Sequence, residues 1–332
     1  GAQRPPPARR WMARPLPPCA MALPVLLPTL PVPGRSHGGH AAHADHPAEG
    51  GADGYCPGSA QLSSAGRSFA ECIDVSWFAR RAVRGLVVFS VVSVDYLDVA
   101  RAWLRRIGRL NISDLRVSKH VSMVCVDPAA RAALERIGHP CHLLQPAGPS
   151  ASAFGAVAFV RHRVAARLNE RGLDVLYTDL DAIWLQDPLP TFRSLARQAA
   201  GPLLVSSRGS YPERLSELWG ATLCTGVLFW HGRFPGRFWA ELAEAAGRAT
   251  DDQAPLNELL AAQGLRWGPS PRLAYANSSR LDRARVPGLG LEVALLPHSS
   301  FPRLCRDLVE EEVVVLHCLR DKRAGRKALG WD

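Results

Sequence analysis

Lysine is scarce in this chain: only three of its 40 basic residues are lysines, and two of those, Lys322 and Lys327, lie near the C-terminal end. The arginines are scattered, without a basic helical stripe, zinc-finger spacing or an aromatic RNA-binding motif, so the formal net charge of +10 does not point to nucleic acid. It suits an anionic small ligand instead. No Cys-x-x-Cys occurs among the eight cysteines, which removes the usual zinc and redox motifs. The first 66 residues also lack an apolar run able to span a bilayer, which takes about 20 residues. Their one candidate, residues 20–32, is broken by Pro24, Pro28 and Pro31. With Arg9, Arg10 and Arg14 ahead of it, it has at most the outline of a weak signal peptide.

What remains is ample. The chain has 332 residues, 47% of them hydrophobic, enough to bury a large core. Residues 1–66, rich in Pro, Gly, Ala and His, read as a disordered or stem-like segment. Residues 67–332 read as one α/β domain. Strand patterns are expected at residues 85–92, 121–126 and 141–144, and helices at 97–107, 128–137 and through Phe154 and Leu168. This alternation predicts a mostly parallel sheet with helices on both faces.

The most informative stretch is Val175-Leu-Tyr-Thr-Asp179-Leu-Asp181-Ala-Ile-Trp-Leu-Gln-Asp187-Pro188. An apolar, β-branched and aromatic run delivers two carboxylates, and along a strand an i, i+2 pair projects to one side. Two carboxylates side by side repel unless a cation neutralises them, and Mg²⁺ or Mn²⁺ takes such oxygens together with substrate phosphate. Asp-x-Asp alone also occurs in surface turns, but here apolar residues flank it on both sides.

Three further elements follow. Thr225-Gly226 opens the apolar run ending at Trp230, where a glycine marks a bulge or a close approach of backbone to ligand. Asp252-Gln253, with Asn257 beyond, offers sugar-binding polar groups or the start of a helix, and Asp251 allows cap and ligand to be different residues. His317 follows the apolar Val313–Leu316, as a third metal ligand or a satisfied structural histidine.

These elements, in this order, resemble the nucleotide-diphospho-sugar transferase domain family, which includes plant cell-wall xylosyl-, arabinosyl- and galactosyltransferases. The resemblance covers roughly residues 85–332 and implies a GT-A, Rossmann-like fold. It implies that Asp179, Asp181 and His317 hold Mn²⁺ or Mg²⁺ against the diphosphate of a nucleotide sugar, a UDP-sugar above all, with Lys327 neutralising the departing diphosphate. Catalytic roles carry over to Asp179, Asp181, Asp252 and Gln253, donor contacts to Thr225 and Gly226, and transfer is implied to be retaining, onto a glycan or glycoprotein hydroxyl. Asp95 and Tyr96, after the first strand, are candidate nucleotide contacts, Tyr96 either stacking on a base or packing under the next helix. Arg161 matches a basic family position but stands among many arginines. Cys224 and Cys318 depart from the pattern.

Two sequons, at Asn111 and Asn277, and the eight cysteines agree with a Golgi or other secretory location. Cys56–Cys72 is the expected disulfide and Cys125 a buried thiol. As the chain begins with Gly1 rather than methionine, an upstream type II membrane anchor is compatible with it. Two competing readings are an aspartate phosphohydrolase of the haloacid-dehalogenase type, although Ile183 stands where its threonine belongs, and a catalytically silent GT-A domain serving as a scaffold.

Overall fold

The computed structural model describes residues 73–112, 114–145, 153–249, 251–267, 278–304 and 310–318. All fall within the compact unit Ala52–Asp332. The expected N-terminal stem, Cys56, Cys72, Asn277 and Lys327 lie outside the described residues.

The first half of the chain builds β1 (Leu86–Val92), β2 (Val121–Cys125), β3 (Cys141–Leu143) and β4 (Asp174–Thr178). The second half adds β5 (Ile183–Trp184), β6 (Leu203–Gly209), β7 (Thr222–His231), β8 (Asp282–Val286), β9 (Leu291–Leu295) and β10 (Val315–Leu316). Eight strands form one sheet in the order β3-β2-β1-β4-β7-β6-β9-β8, while β5 and β10 pair antiparallel as a separate two-stranded sheet. The sheet is parallel from β3 to β4 and again between β6 and β9, whereas β7 runs antiparallel to both its neighbours and β8 to β9.

Every residue of β1 is buried, as a strand covered on both faces requires. Its alternation divides two cores: Val87, Phe89 and Val91 join one, Leu86, Val88 and Val92 the other. The first core is closed mainly by the long helix α1 (Ala153–Glu170), by α2 (Gly236–Arg248) and by α3 (Gln253–Ala262). On the opposite face the helices Leu97–Gly108, Pro128–Glu135 and Leu189–Gln198 bring in Trp103, Leu134 and Phe192. The expected α/β architecture, with helices on both faces, is therefore present, and no helix among the described residues is long and apolar enough to cross a membrane.

Local rules explain the boundaries. Asp127 caps the helix beginning at Pro128 by accepting from Ala130 N at 2.7 Å, and its other oxygen accepts from Val94 N at 2.8 Å, which ties the loop after β1 to the loop after β2. Cys125 corrects the sequence reading: it is bonded to Cys141, 5.9 Å away between Cα atoms. In the parallel register Met123 faces Cys141, so Cys125 lies on the diagonal of the same sheet face and its side chain meets that of Cys141.

Candidate active site

A cavity of about 470 Å³ opens at the carboxyl ends of β1 and β4, the usual ligand position in an open α/β sheet. Asp179, Asp181, His317, Asp252, Gln253, Thr225, Gly226, Asp95 and Tyr96 all line it.

The two aspartates converge by a route the sequence reading did not anticipate. Strand β4 ends at Thr178, so Asp179 and Asp181 sit in the following turn rather than on one face of a strand. That turn is held closely: Asp179 N donates to Gly226 O at 2.7 Å, Ala182 N to Asp179 O at 3.1 Å, and the buried Trp103 indole to Ala182 O at 2.9 Å. His317 arrives from β10, whose partner β5 directly follows the turn. Its own N–H donates to Pro302 O at 3.1 Å. One ligand atom from each of Asp179, Asp181 and His317 lies within 4.8 Å of the others. Two carboxylates and an imidazole at this separation are a donor set suited to a small divalent ion.

Gly226 makes the convergence possible. It lies in a bulge of β7, where Ser206 faces Leu228 but Ser207 faces Cys224. The side of Gly226 that a Cβ would occupy is filled by the His317 ring, with Cε1 only 1.8 Å from the ideal Cβ position. The glycine is thus both a bulge and a close approach, but what approaches it is a protein side chain.

Charge is concentrated here. Partial burial and the neighbouring Asp181 push the Asp179 carboxyl up from its ordinary pKa, against the pull of His317. Nε2 of His317 lies 3.1 Å from Asp181 Oδ1 and 2.8 Å from the Arg303 guanidinium. Burial and Arg303 oppose protonation of the ring, yet the Asp181 carboxylate outweighs them and the pKa rises to about 9. A divalent ion held by these residues would take the place of that proton. Cys224 Sγ lies 3.9 Å from His317 Nδ1; burial resists its ionisation, but Arg303 and His317 draw its pKa below the ordinary thiol range.

Across the cavity, Arg161 of α1 is 1% exposed and ion-paired with Asp252, with Asp179 Oδ1 4.0 Å from its Nη1. Its guanidinium lies 4.8 Å over the Tyr177 ring, whose hydroxyl donates to Asp179 Oδ1 at 2.5 Å. Burial and Asp179 push the Tyr177 phenol well above its usual pKa, so it remains a donor. Burial opposes the Arg161 charge too, but Asp252, Tyr177 and Asp179 raise its pKa and keep it a fixed cation.

The Asp-Gln-x-x-x-Asn element divides its labour. Asp251 caps α3, accepting from Gln253 N at 2.8 Å and Ala254 N at 3.1 Å, which leaves the Asp252 carboxylate for Arg161. Gln253 Nε2 donates to Tyr211 O at 2.6 Å. Asn257 grips β7 through Leu223 N at 2.8 Å and Leu223 O at 2.9 Å, a structural clamp outside the cavity. Tyr96, in a short 3-10 turn, is 54% exposed at the cavity wall rather than packed beneath the next helix.

Sequence reasoning left Tyr177 and Arg303 unassigned and passed over Arg161. A signal existed for Arg161, an arginine set among Val160, Val164 and Ala165 in a buried helix. Nothing local distinguishes Arg303.

No curated protein matches this chain. Among solved structures, the glycosyltransferase GlyE of Streptococcus pneumoniae TIGR4 is similar at 15% identity and a TM-score of 0.41, over 74% of this chain and 60% of that one. The chain therefore spans about three fifths of that protein's length. The galactosyltransferase LgtC, solved with donor and acceptor sugar analogs, matches at 13% identity and a TM-score of 0.41, over 73% of this chain and 95% of its own. Mouse xyloside xylosyltransferase 1 matches at 11% identity and 0.39, over 71% and 98%. Residues 116–327, well over half of the sequence, match the nucleotide-diphospho-sugar transferase family, and the chain belongs to it.

Proposed function

We propose that this cavity binds a UDP-sugar through Mn²⁺ or Mg²⁺ held by Asp179, Asp181 and His317, and that the enzyme passes the sugar, with retention of configuration, to a hydroxyl of a glycan or glycoprotein. The observation that carries this reading is the convergence of those three side chains, from β4's turn and from β10, on one point of a cavity at the sheet's carboxyl edge. A divalent ion there supplies positive charge to a departing diphosphate.

The chain's own residues account for the rest. Asp252, ion-paired to the buried Arg161, is a fixed negative charge fit to position the sugar and to shield positive charge developing at its anomeric carbon. Gln253 keeps its carbonyl oxygen for a sugar hydroxyl while its amide nitrogen holds Tyr211. Thr225 and Gly226 line the donor side, and Asp95 and Tyr96 form the nucleotide end, where the exposed Tyr96 ring offers a face for a base. Lys327 has the diphosphate role that the family pattern gives it. No general base is assigned; a diphosphate oxygen is a suitable acceptor for the incoming hydroxyl's proton.

The secretory pathway, in the Golgi lumen, is the proposed location. The Cys125–Cys141 disulfide and the exposure of Asn111, the first residue of a sequon, support it. A membrane anchor upstream of residue 1 belongs to the same proposal.

Calorimetric titration of UDP, with and without Mn²⁺, tests the reading. Metal-dependent binding that disappears in an Asp179→Ala/Asp181→Ala variant is the expected result, after which UDP-xylose, UDP-arabinofuranose and UDP-galactose are screened for turnover and the product's anomeric configuration is read by NMR. No binding under either condition overturns it. Binding without turnover of any donor favours the silent-scaffold alternative. The phosphohydrolase alternative is disfavoured by the match of residues 116–327 to the nucleotide-diphospho-sugar transferase family.

A further inference from the structure

The two oxygens of Asp179 have different surroundings. Oδ1 accepts the Tyr177 hydroxyl at 2.5 Å and lies 4.0 Å from Arg161 Nη1, whereas Oδ2 lies 3.8 Å from His317 Nε2, on the side of Gly226. We infer that Tyr177 is a positioning residue for the metal site: its hydroxyl holds Asp179 by Oδ1 and so keeps Oδ2 turned towards His317 and Asp181. The inference rests on the divalent-ion reading of this site.

Tyr177 is well placed for such a task. It is 1% exposed in a strand paired on both sides, with Phe89 as its partner on β1 and Leu228 on β7. Its ring is enclosed by Phe89, 5.2 Å between centroids, and by the Arg161 guanidinium at 4.8 Å. These contacts fix where the hydroxyl points. Asp179, by contrast, lies just past the end of β4 with its side chain 31% exposed, so its backbone is anchored through Gly226 while its carboxylate is free to rotate unless something holds one oxygen. The Tyr177 hydroxyl holds Oδ1 at hydrogen-bond distance, on the side where the Arg161 guanidinium, ion-paired with Asp252, lies 4.0 Å away. Partners of this kind orient the residues that bind an ion, and losing one typically weakens metal binding about 10–100-fold.

Tyr177→Phe removes only the hydroxyl and retains the ring contacts with Phe89 and Arg161. Mn²⁺ is titrated into the protein in the presence of UDP, and free Mn²⁺ is followed by electron paramagnetic resonance, so the readout does not depend on turnover. The expected result is Mn²⁺ affinity lower by about 10–100-fold, with the thermal unfolding curve close to that of the native protein. A double-mutant cycle supplies the second measurement: in an Asp179→Asn background, adding Tyr177→Phe is expected to weaken Mn²⁺ no further, because the hydroxyl acts through that carboxylate. Unchanged Mn²⁺ affinity in Tyr177→Phe, or a full additional loss in the Asp179→Asn background, overturns the inference while leaving the site itself standing. Absence of Mn²⁺ binding by the native protein brings down the metal reading as a whole, and this inference with it.

Discussion

A Cβ atom on Gly226 would lie 1.8 Å from Cε1 of His317, so these two residues occupy space that only a glycine can share. Gly226→Ala is therefore expected to expel the imidazole from its place beside Asp179 and Asp181. Displacements of about 1 Å at a catalytic group cost roughly 100-fold, and a loss of at least that order in metal-dependent UDP binding is the expected outcome, read by calorimetry. Binding at native strength in Gly226→Ala would show that His317 is not a ligand.

Neighbouring aspartates should fail in different ways. Asp251→Ala removes a helix cap and is expected to lower stability by about 1 kcal/mol. Arg161→Met instead strands the Asp252 carboxylate beside an apolar side chain, and breaking a buried pair by removing one partner costs roughly 3–5 kcal/mol. Urea unfolding of the two variants separates a cap from a buried charge network; equal losses would mean that the pairing of Asp252 with Arg161 does not persist in solution.

His139 predicts an acid sensitivity remote from the cavity. It is 5% exposed, and burial together with Arg81 lowers its pKa to about 4. Its folded-state pKa is thus depressed below the unfolded value of about 6.5, so the unfolded chain binds the proton more readily. The neutral ring carries no penalty above pH 6.5, and stability falls as pH drops from there towards 4, by about 3 kcal/mol in all. His139→Gln should flatten that part of the stability profile relative to the native protein. Parallel profiles would refute the assignment.

The Cys125–Cys141 bond closes a loop of 16 residues across the edge of the sheet. Loops of that length are stabilised by roughly 3 kcal/mol on the chain-entropy estimate. Reduction, or a Cys125→Ala/Cys141→Ala variant, is expected to lower the unfolding midpoint in urea accordingly while leaving UDP binding in place, since neither cysteine touches the cavity.

Much of this was legible in the residues. The strand, helix, strand alternation from Leu86 to Thr178 is carried by continuous apolar runs and by caps such as Asp127-Pro128, and local chemistry of that kind survives into the fold almost unchanged. The nearness of Asp179, Asp181 and His317 had a sequence signal, because the Asp-x-Asp pair and the histidine each follow an apolar segment. What could not be read was pairing between distant segments. That β7 inserts antiparallel between β4 and β6 depends on which strand edges meet, and so does the bulge that carries Gly226. Cys125 looked like a small apolar residue because its partner was invisible without the register of β2 and β3. Arg303 reaches His317 only through tertiary packing, since the two are fourteen residues apart with no shared element.

The two-stranded β5–β10 sheet has a consequence for how the enzyme comes into being. Every strand of the large sheet is complete by Leu295, but the histidine of the trio is delivered by β10, beyond residue 312. Chains are made and generally fold from the N-terminus, so the scaffold can be in place while the site still lacks its histidine. β10 then acts as a clasp, closing on β5 directly after the aspartate turn. A nascent or truncated chain ending before it would have the sheet without His317 beside Asp179 and Asp181, so the trio is complete only when β10 has paired with β5.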